Sequence, residues 1–480
     1  MTSGLRTRRA LLAAALSAAA CTPAPHAASG DSPGDSDDSG APEFSTFAGI
    51  ESVSWDGSDG FSVACEGALT AGTLEAANPA GELIQSTAFS GTTGSLGGLP
   101  DGEYVLRILD AEGNDHGRTL RQWIGSNRLV YRTESAIEGG SQTVAGEGNL
   151  VALGSGGAED GGAVLFDLSD LGDLASPPPP APLASIPDLG FMDDVAIQGD
   201  LLAVATDPFR SPEATTGVRF YDISDPTAPT LAGSIPAQDD NAHTLTFGEP
   251  GILYLASTFN GWEAVYDVSD PAQPTRLGTF TPPQPAVPHD QVWVEGTLWM
   301  AYTYGLAAAD TTDPAHLTLL GVLPATWSDP FVHDLWPTGD GATLAFSDES
   351  IGGKLRTADI TDPAAMGVEA SWQLDATHSI HNVVVRDHYA FTTWYTGGIL
   401  VFDLDDPTRP TQVGAYDTWS GDEEPQTSGD GKEFPNVNGA NYVWPLGRHI
   451  ALSDSDRGLL VFDFFPTTIQ WGDTWGGNSP

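Results

Sequence analysis

Val218-Arg219-Phe220-Tyr221-Asp222-Ile223-Ser224-Asp225-Pro226 decides the fold, because the chain repeats it. It returns as Ala264-Val265-Tyr266-Asp267-Val268-Ser269-Asp270-Pro271 and as Leu400-Val401-Phe402-Asp403-Leu404-Asp405-Asp406-Pro407. Ala308 to Pro314 and Thr357 to Pro363 are diverged copies, Val164 to Asp170 begins the series and Leu460 to Phe464 ends it. The Asp-Pro anchors at 225, 270, 313, 362 and 406 are 45, 43, 49 and 44 residues apart. Four short strands with their turns fill such a period, which is the size of a propeller blade. Seven units open near Gln142, Asp194, His243, His289, His333, His381 and Asn441. The seventh stops at Phe464 without a fourth strand, and Leu129-Val130-Tyr131-Arg132-Thr133 supplies one, which would close the ring and remove its open edge.

The Asp-x-Ser-Asp-Pro pattern behind an apolar run such as Leu400-Val401-Phe402 resembles the LVIVD-repeat family of bacterial and archaeal surface proteins. The resemblance covers roughly residues 142–464 and includes Tyr442-Val443-Trp444-Pro445 with Gly458-Leu459-Leu460-Val461-Phe462 near the end. It implies a β-propeller at the cell surface and no settled reaction. The fourth and fifth units have lost the aliphatic run, and Ser420 to Asn438 is a polar insertion.

Ahead of the repeats, residues 46–120 alternate with period two and turn at Asp56-Gly57, Asp59-Gly60 and Asp101-Gly102, which predicts a small immunoglobulin-like β-sandwich. The expected class is therefore all-β: a seven-bladed β-propeller over 128–466, a small sandwich before it and a flexible tail at 467–480. Residues 22–45 are Pro, Ala, Ser, Gly and acids without a base, a composition that cannot offset ordering entropy and reads as a linker. Residues 1–21 read as a signal peptide, with Arg6, Arg8 and Arg9 before the apolar run Ala10 to Ala20. Thr7 to Leu12 resembles a twin-arginine signal. Ala18-Ala19-Ala20-Cys21 resembles a lipobox that would lipidate Cys21, with plain cleavage after Ala20 as the alternative.

Composition narrows the partners. There are 65 acids against 18 Lys+Arg, a formal charge of −47, and removing the first twenty residues takes away three Arg and makes it −50. Nucleic acid is excluded as a partner, since phosphate contacts need basic clusters. Attachment to a membrane would come only through a Cys21 lipid. Cys65 then stands alone and cannot form an internal disulfide.

His243, His289, His333 and His381 open successive units, 46, 44 and 48 residues apart, followed in three cases by Asp290, Asp334 or Asn382. Propeller symmetry would gather them at one mouth of the central channel. Two uses are open: hydrogen bonding within the blade, as in WD-type propellers, or binding of Zn²⁺ or Cu²⁺ with Asp290, Asp334 and Asn382 orienting the imidazoles from behind. Ca²⁺ is not expected, because no Asp-x-Asp-x-Asp-Gly loop occurs. Most of the Trp residues fall in strand patterns and should pack between blades, while Trp327, Trp419 and Trp471 sit in loop-like sequence and are candidates for a surface. No Gly-x-Ser-x-Gly, P-loop, His-Glu-x-x-His or Cys-x-x-Cys is present. The first expectation is an exported, monomeric, non-enzymatic binding, adhesion or scaffold module for an extracellular protein or glycan. The alternative is a metal-dependent hydrolase or oxidase working at the His layer.

Overall fold

The computed structural model describes residues 50–470 apart from 56–58, 79–81, 114–119, 125, 138, 156–160, 172–176, 207–216, 259, 282–286, 329, 422, 428–432 and 467. The signal-like segment with Cys21, the linker, Trp471 and most of the tail lie outside the described residues. No helix among them is long and apolar enough to cross a membrane.

Seven four-stranded antiparallel sheets follow one another along the chain. Their innermost strands are Ser141–Glu147, Met192–Gln198, Thr244–Phe247, Pro288–Val294, Val332–Pro337, Val383–Arg386 and Ala440–Leu446. Each then steps outward by two hairpins to the strand carrying the repeated Asp, such as Val218–Asp222, and to a fourth such as Thr230–Ile235. In the seventh blade the fourth strand is Leu129–Ser135, which pairs antiparallel with Gly458–Phe464. The last blade is thus built from both ends of the propeller segment.

The repeat motif folds as it does because its two Asp residues each cap a turn. The carboxylate of Asp222 accepts the backbone N–H of Ser224 at 2.9 Å, and that of Asp225 accepts Thr227 at 3.1 Å. The pair recurs at Asp267 and Asp270, at Asp310 and Asp313, at Asp359 and Asp362, and at Asp403 and Asp406. Aspartate mimics a backbone turn in this way, and Pro after the second Asp fixes φ. The apolar residues of the strand that leads into these turns are fully buried, for example Val218, Phe220, Val401 and Phe402. The diverged fourth and fifth units keep the strand, as Gly305–Asp310 and Leu355–Asp359, with Ala308, Ala309 and Ala358 filling the blade.

The amino-terminal part differs from the expected two-sheet sandwich. It is one curled sheet in which Ile50–Trp55 and Gly102–Asp110 pair with opposite halves of the 17-residue strand Phe61–Ala77. Register breaks at Ala64/Leu69 and Leu69/Gly72 let this strand bend, so one sheet wraps a core of Phe61, Val63, Cys65, Leu74, Leu106 and Ile108. The Cys65 side chain is buried in this core. Thr468–Gln470 adds to the edge of this sheet by pairing with Ile50–Trp55.

Candidate metal centre

The innermost strands begin with a β-bulge. In blade 4, Pro288 pairs with Tyr302 and Asp290 with Ala301, which leaves His289 as the extra residue. Gln142, Asp193 and Asn441 are the extra residues of blades 1, 2 and 7 in the same way. In blade 5 the register shift spans His333 and Asp334. His243 and His381 stand just before their strands, their N–H groups donating to the carbonyls of Ala256 and Thr393. A bulge re-aims a side chain. Here it turns one residue per blade, Gln142, Asp193, His243, His289, His333, His381 and Asn441, into a single layer at one mouth of the channel. The similar place assigned to Asp194 belongs by register to Asp193.

The four imidazoles pack against one another in series, the first pair T-shaped and the next two tilted. Ring centroids are 4.4 Å apart for His243–His289, 4.0 Å for His289–His333 and 4.2 Å for His333–His381. Nε2 of His243 lies 3.2 Å from Nε2 of His289. Two neutral imidazole lone pairs at this distance would repel, so the geometry calls for a shared proton or a cation. A tetrahedral Zn site with bonds of 2.0–2.1 Å has edges of about 3.3–3.4 Å. Ligand atoms of His289, His333 and Glu349 all lie within 4.8 Å of one another, and Oε2 of Glu349 is 3.4 Å from Nε2 of His333.

What holds the rings differs from the hydrogen bond within one blade. Nδ1 of His381 lies 2.7 Å from the Asn441 carbonyl of the next blade. Nδ1 of His289 and Nδ1 of His333 are buried and make no hydrogen bond of full geometry, although the backbone at His333 and His381 faces those rings. Burial first, and then the neighbouring imidazoles, push both His289 and His333 well below the ordinary histidine range. Both are therefore neutral at physiological pH, the form that ligates metal.

The carboxylates that face the rings are not the ones nearest in sequence. Asp193 Oδ2 is 3.5 Å from Nδ1 of His243, and Glu349 sits at His333. Tyr395 donates its hydroxyl to Oε1 of Glu349 at 2.5 Å and lays its ring 4.6 Å from His381. Glu349 and Tyr395 occupy equivalent places, each just after the second strand of its blade. Tyr395 is held at φ 47°, a conformation costly for a bulky residue.

Asp194, Asp290 and Asp334 form the layer directly below. Asp194 accepts from Thr143 Oγ1, Val195 N and Leu245 N, each at 2.9 Å, which ties blade 2 to blades 1 and 3. Asp334 accepts from Asn382 Nδ2 at 2.9 Å and Val383 N at 2.8 Å, joining blades 5 and 6. Asp290 accepts only the N–H of Gln291, at 2.8 Å. Asp290, Asp334 and Asn382 thus hydrogen-bond to backbone and to one another rather than to the imidazoles. Burial pushes Asp194 and Asp334 up to about 7, and Asp290, with the other two nearby, well above its ordinary value.

Trp394 is fully buried and Trp372 of the preceding blade meets it edge-on at 5.4 Å, whereas Trp336 of blade 5 and Trp444 of blade 7 meet at 5.8 Å on the channel side. Trp327, in loop-like sequence, is partly exposed. It lies half-buried beneath the Arg356 guanidinium, 4.0 Å from ring centre to Cζ. Trp419 is also half-buried.

A family model described as LVIVD repeat matches residues 221–236 and 379–418, within blades 2 and 6. The β-propeller domain of Cps50 (Swd1) from Myceliophteria thermophila aligns with TM-score 0.50 and 14% identity, over 70% of this chain and 99% of that domain. The computationally designed Ika8 protein aligns with TM-score 0.46 and 9% identity, over 70% of this chain and 100% of that one. No curated protein matches the sequence. At 14% identity the Cps50 likeness is one of fold alone. With the seven sheets it makes this chain a β-propeller that carries LVIVD repeats.

Proposed function

We propose that this protein is an exported, cell-surface binding propeller that holds one transition-metal ion of the zinc or copper class at its channel mouth, between His243, His289, His333 and Glu349. The observation that carries this reading is the 3.2 Å separation of the His243 and His289 Nε2 atoms, close to the edge of a tetrahedral site. Imidazole suits Zn and Cu, and two of these rings are buried and neutral. Ligand atoms of His289, His333 and Glu349 lie within 4.8 Å of one another, and His243, beside His289, would have to close on them to complete a tetrahedral sphere; a filled sphere favours binding over catalysis, which needs an open position. The surface placement is supported by the export-type residues Arg6, Arg8 and Arg9 before Ala10 to Ala20, with Cys21 as the anchor.

A second reading rests on the Tyr395 hydroxyl, which engages Oε1 of Glu349. If Glu349 stays on Tyr395, three imidazoles leave a fourth position for water, and the centre becomes hydrolytic.

The test is metal content per chain in the exported protein, beside a His289→Ala/His333→Ala variant. The expected outcome is close to one Zn or Cu per chain, lost in the variant. No transition metal in either sample, after dialysis against each ion, would overturn the proposal. The visible spectrum of the Co²⁺-loaded protein separates the two readings: an unchanged four-coordinate spectrum with Glu349→Gln would favour the hydrolytic one.

A further inference from the structure

The channel does not end at the His layer. A cavity of about 520 Å³ opens on the opposite face, where the innermost strands end. Asp194 and Asp290 border its inner end, Trp293, Trp336, Tyr442 and Trp444 its walls, and Arg386 and Arg448 its mouth. From the Asp layer to the mouth is four residues of strand, about 13 Å at 3.3 Å per residue. Two observations make this more than a group of acids. Asp290 is 5% exposed yet takes only one hydrogen bond, from its neighbour's N–H, so its other carboxylate oxygen is unpartnered on the cavity side. Among the described residues that line the cavity, the only Lys or Arg are Arg386 and Arg448. The cavity's arginines sit at the mouth with partners of their own, Arg386 on the Pro445 carbonyl at 3.2 Å and Arg448 3.6 Å from Asp463.

We propose that this cavity binds a primary amine, whose ammonium donates to the free Asp290 oxygen while its carbon chain lies against Trp336 and Trp444. An ammonium supplies the hydrogen bonds and the positive charge that three crowded carboxyl groups lack, and aromatic faces attract both the cation and the methylenes next to it. The tryptophan walls would serve a sugar too, but a sugar brings no charge to the Asp layer. The site is separate from the metal centre and does not depend on it.

The probe is n-hexylamine, followed by tryptophan fluorescence and calorimetry on the full chain, with hexan-1-ol and hexanoate as isosteric controls. One-site binding of hexylamine at least tenfold tighter than hexanol or hexanoate is expected, and Asp290→Asn should weaken it at least tenfold. The comparison of amine with alcohol needs no variant, so it stands even if Asp290→Asn folds poorly. Equal binding of amine and alcohol, no hexylamine binding up to 10 mM, or binding of maltohexaose in place of the amine would overturn the proposal. The titration is repeated after EDTA treatment. Unchanged binding places the amine in the cavity, whereas loss of binding with the metal would make it a ligand of the ion and also overturn the proposal.

Discussion

Asp463 shows how a single side chain closes the ring. Its carboxylate is 1% exposed and accepts from Arg132 Nε at 2.8 Å and His449 Nδ1 at 2.7 Å, with Arg448 at 3.6 Å. Arg132 lies on the strand that precedes blade 1 and Asp463 on the third strand of blade 7, so the pair fastens the two ends of the propeller. Burial pushes the carboxyl up, but the His449 hydrogen bond and the Arg132 and Arg448 charges outweigh it and hold Asp463 below its ordinary value. A depressed carboxyl stabilises the fold fully above the unfolded value, near 3.9, and loses that contribution as pH falls through the folded value. Asp463→Asn leaves Arg132 buried without its counter-charge and is expected to cost about 3–5 kcal/mol in urea unfolding at pH 7. The gap to the unsubstituted protein should shrink near pH 3, and an equal gap at both pH values would contradict the assignment. At this scale the His layer was legible in the sequence because symmetry copies a position from blade to blade. Glu349 and Tyr395 were not, because each occurs once, in a loop whose approach to the channel only the folded blade determines. Asp193 was hidden by its twin Asp194: a one-residue bulge decides which of them faces the imidazoles, and a bulge leaves no mark on spacing.

Between elements, the fourth strands of blades 2, 3 and 4 come close to the Asp-Pro turn of the next blade. A Cβ added to Gly321 would lie 1.6 Å from the Pro363 carbonyl oxygen, and one on Gly233 1.7 Å from that of Pro271. The signal is in the sequence: Gly stands seven residues after the repeat's Pro at 233, 278, 321 and 414, and Ala at 370. Gly367, which begins the fourth strand of blade 5, has nothing within 4 Å of its Cβ position. Gly321→Ala is therefore expected to cost about 1–3 kcal/mol through overpacking, and Gly367→Ala to stay within about 0.5 kcal/mol, both read from urea midpoints. Equal effects would show that the Asp-Pro turn does not set the blade spacing. The blades were readable because turn chemistry, apolar run and period all repeat. The amino-terminal sheet was only half readable. Alternation identifies its strands, but whether they form two sheets or one curled sheet depends on the bends near Leu69 and Gly72, where no turn residue pattern announces them.

For the whole molecule the governing quantity is charge. With 65 acids, 18 Lys+Arg and only two lysines, Lys354 and Lys432, the chain carries a formal −47, to which the five Asp pairs that cap the turns contribute. At Asp222, Asp225, Asp267, Asp310 and Asp359 the Ser or Thr two residues on donates to the carboxylate and holds it below its ordinary value. Folding gathers them around a ring and raises their mutual repulsion relative to the extended chain. Salt screens this repulsion, with a Debye length falling from about 30 Å at 0.01 M to about 10 Å at 0.1 M and about 3 Å at 1 M. The Asp463 cluster and the Asp194 and Asp334 bonds are buried and screened far less. The melting temperature is therefore expected to rise with NaCl from 10 mM and to level off before 1 M, where further salt has little left to screen. Sucrose at equal osmolality is the control, since it strengthens burial without screening charge. A melting temperature that falls with NaCl would show that buried ion pairs outweigh the surface, and a continuous rise matched by sucrose would assign the effect to burial instead.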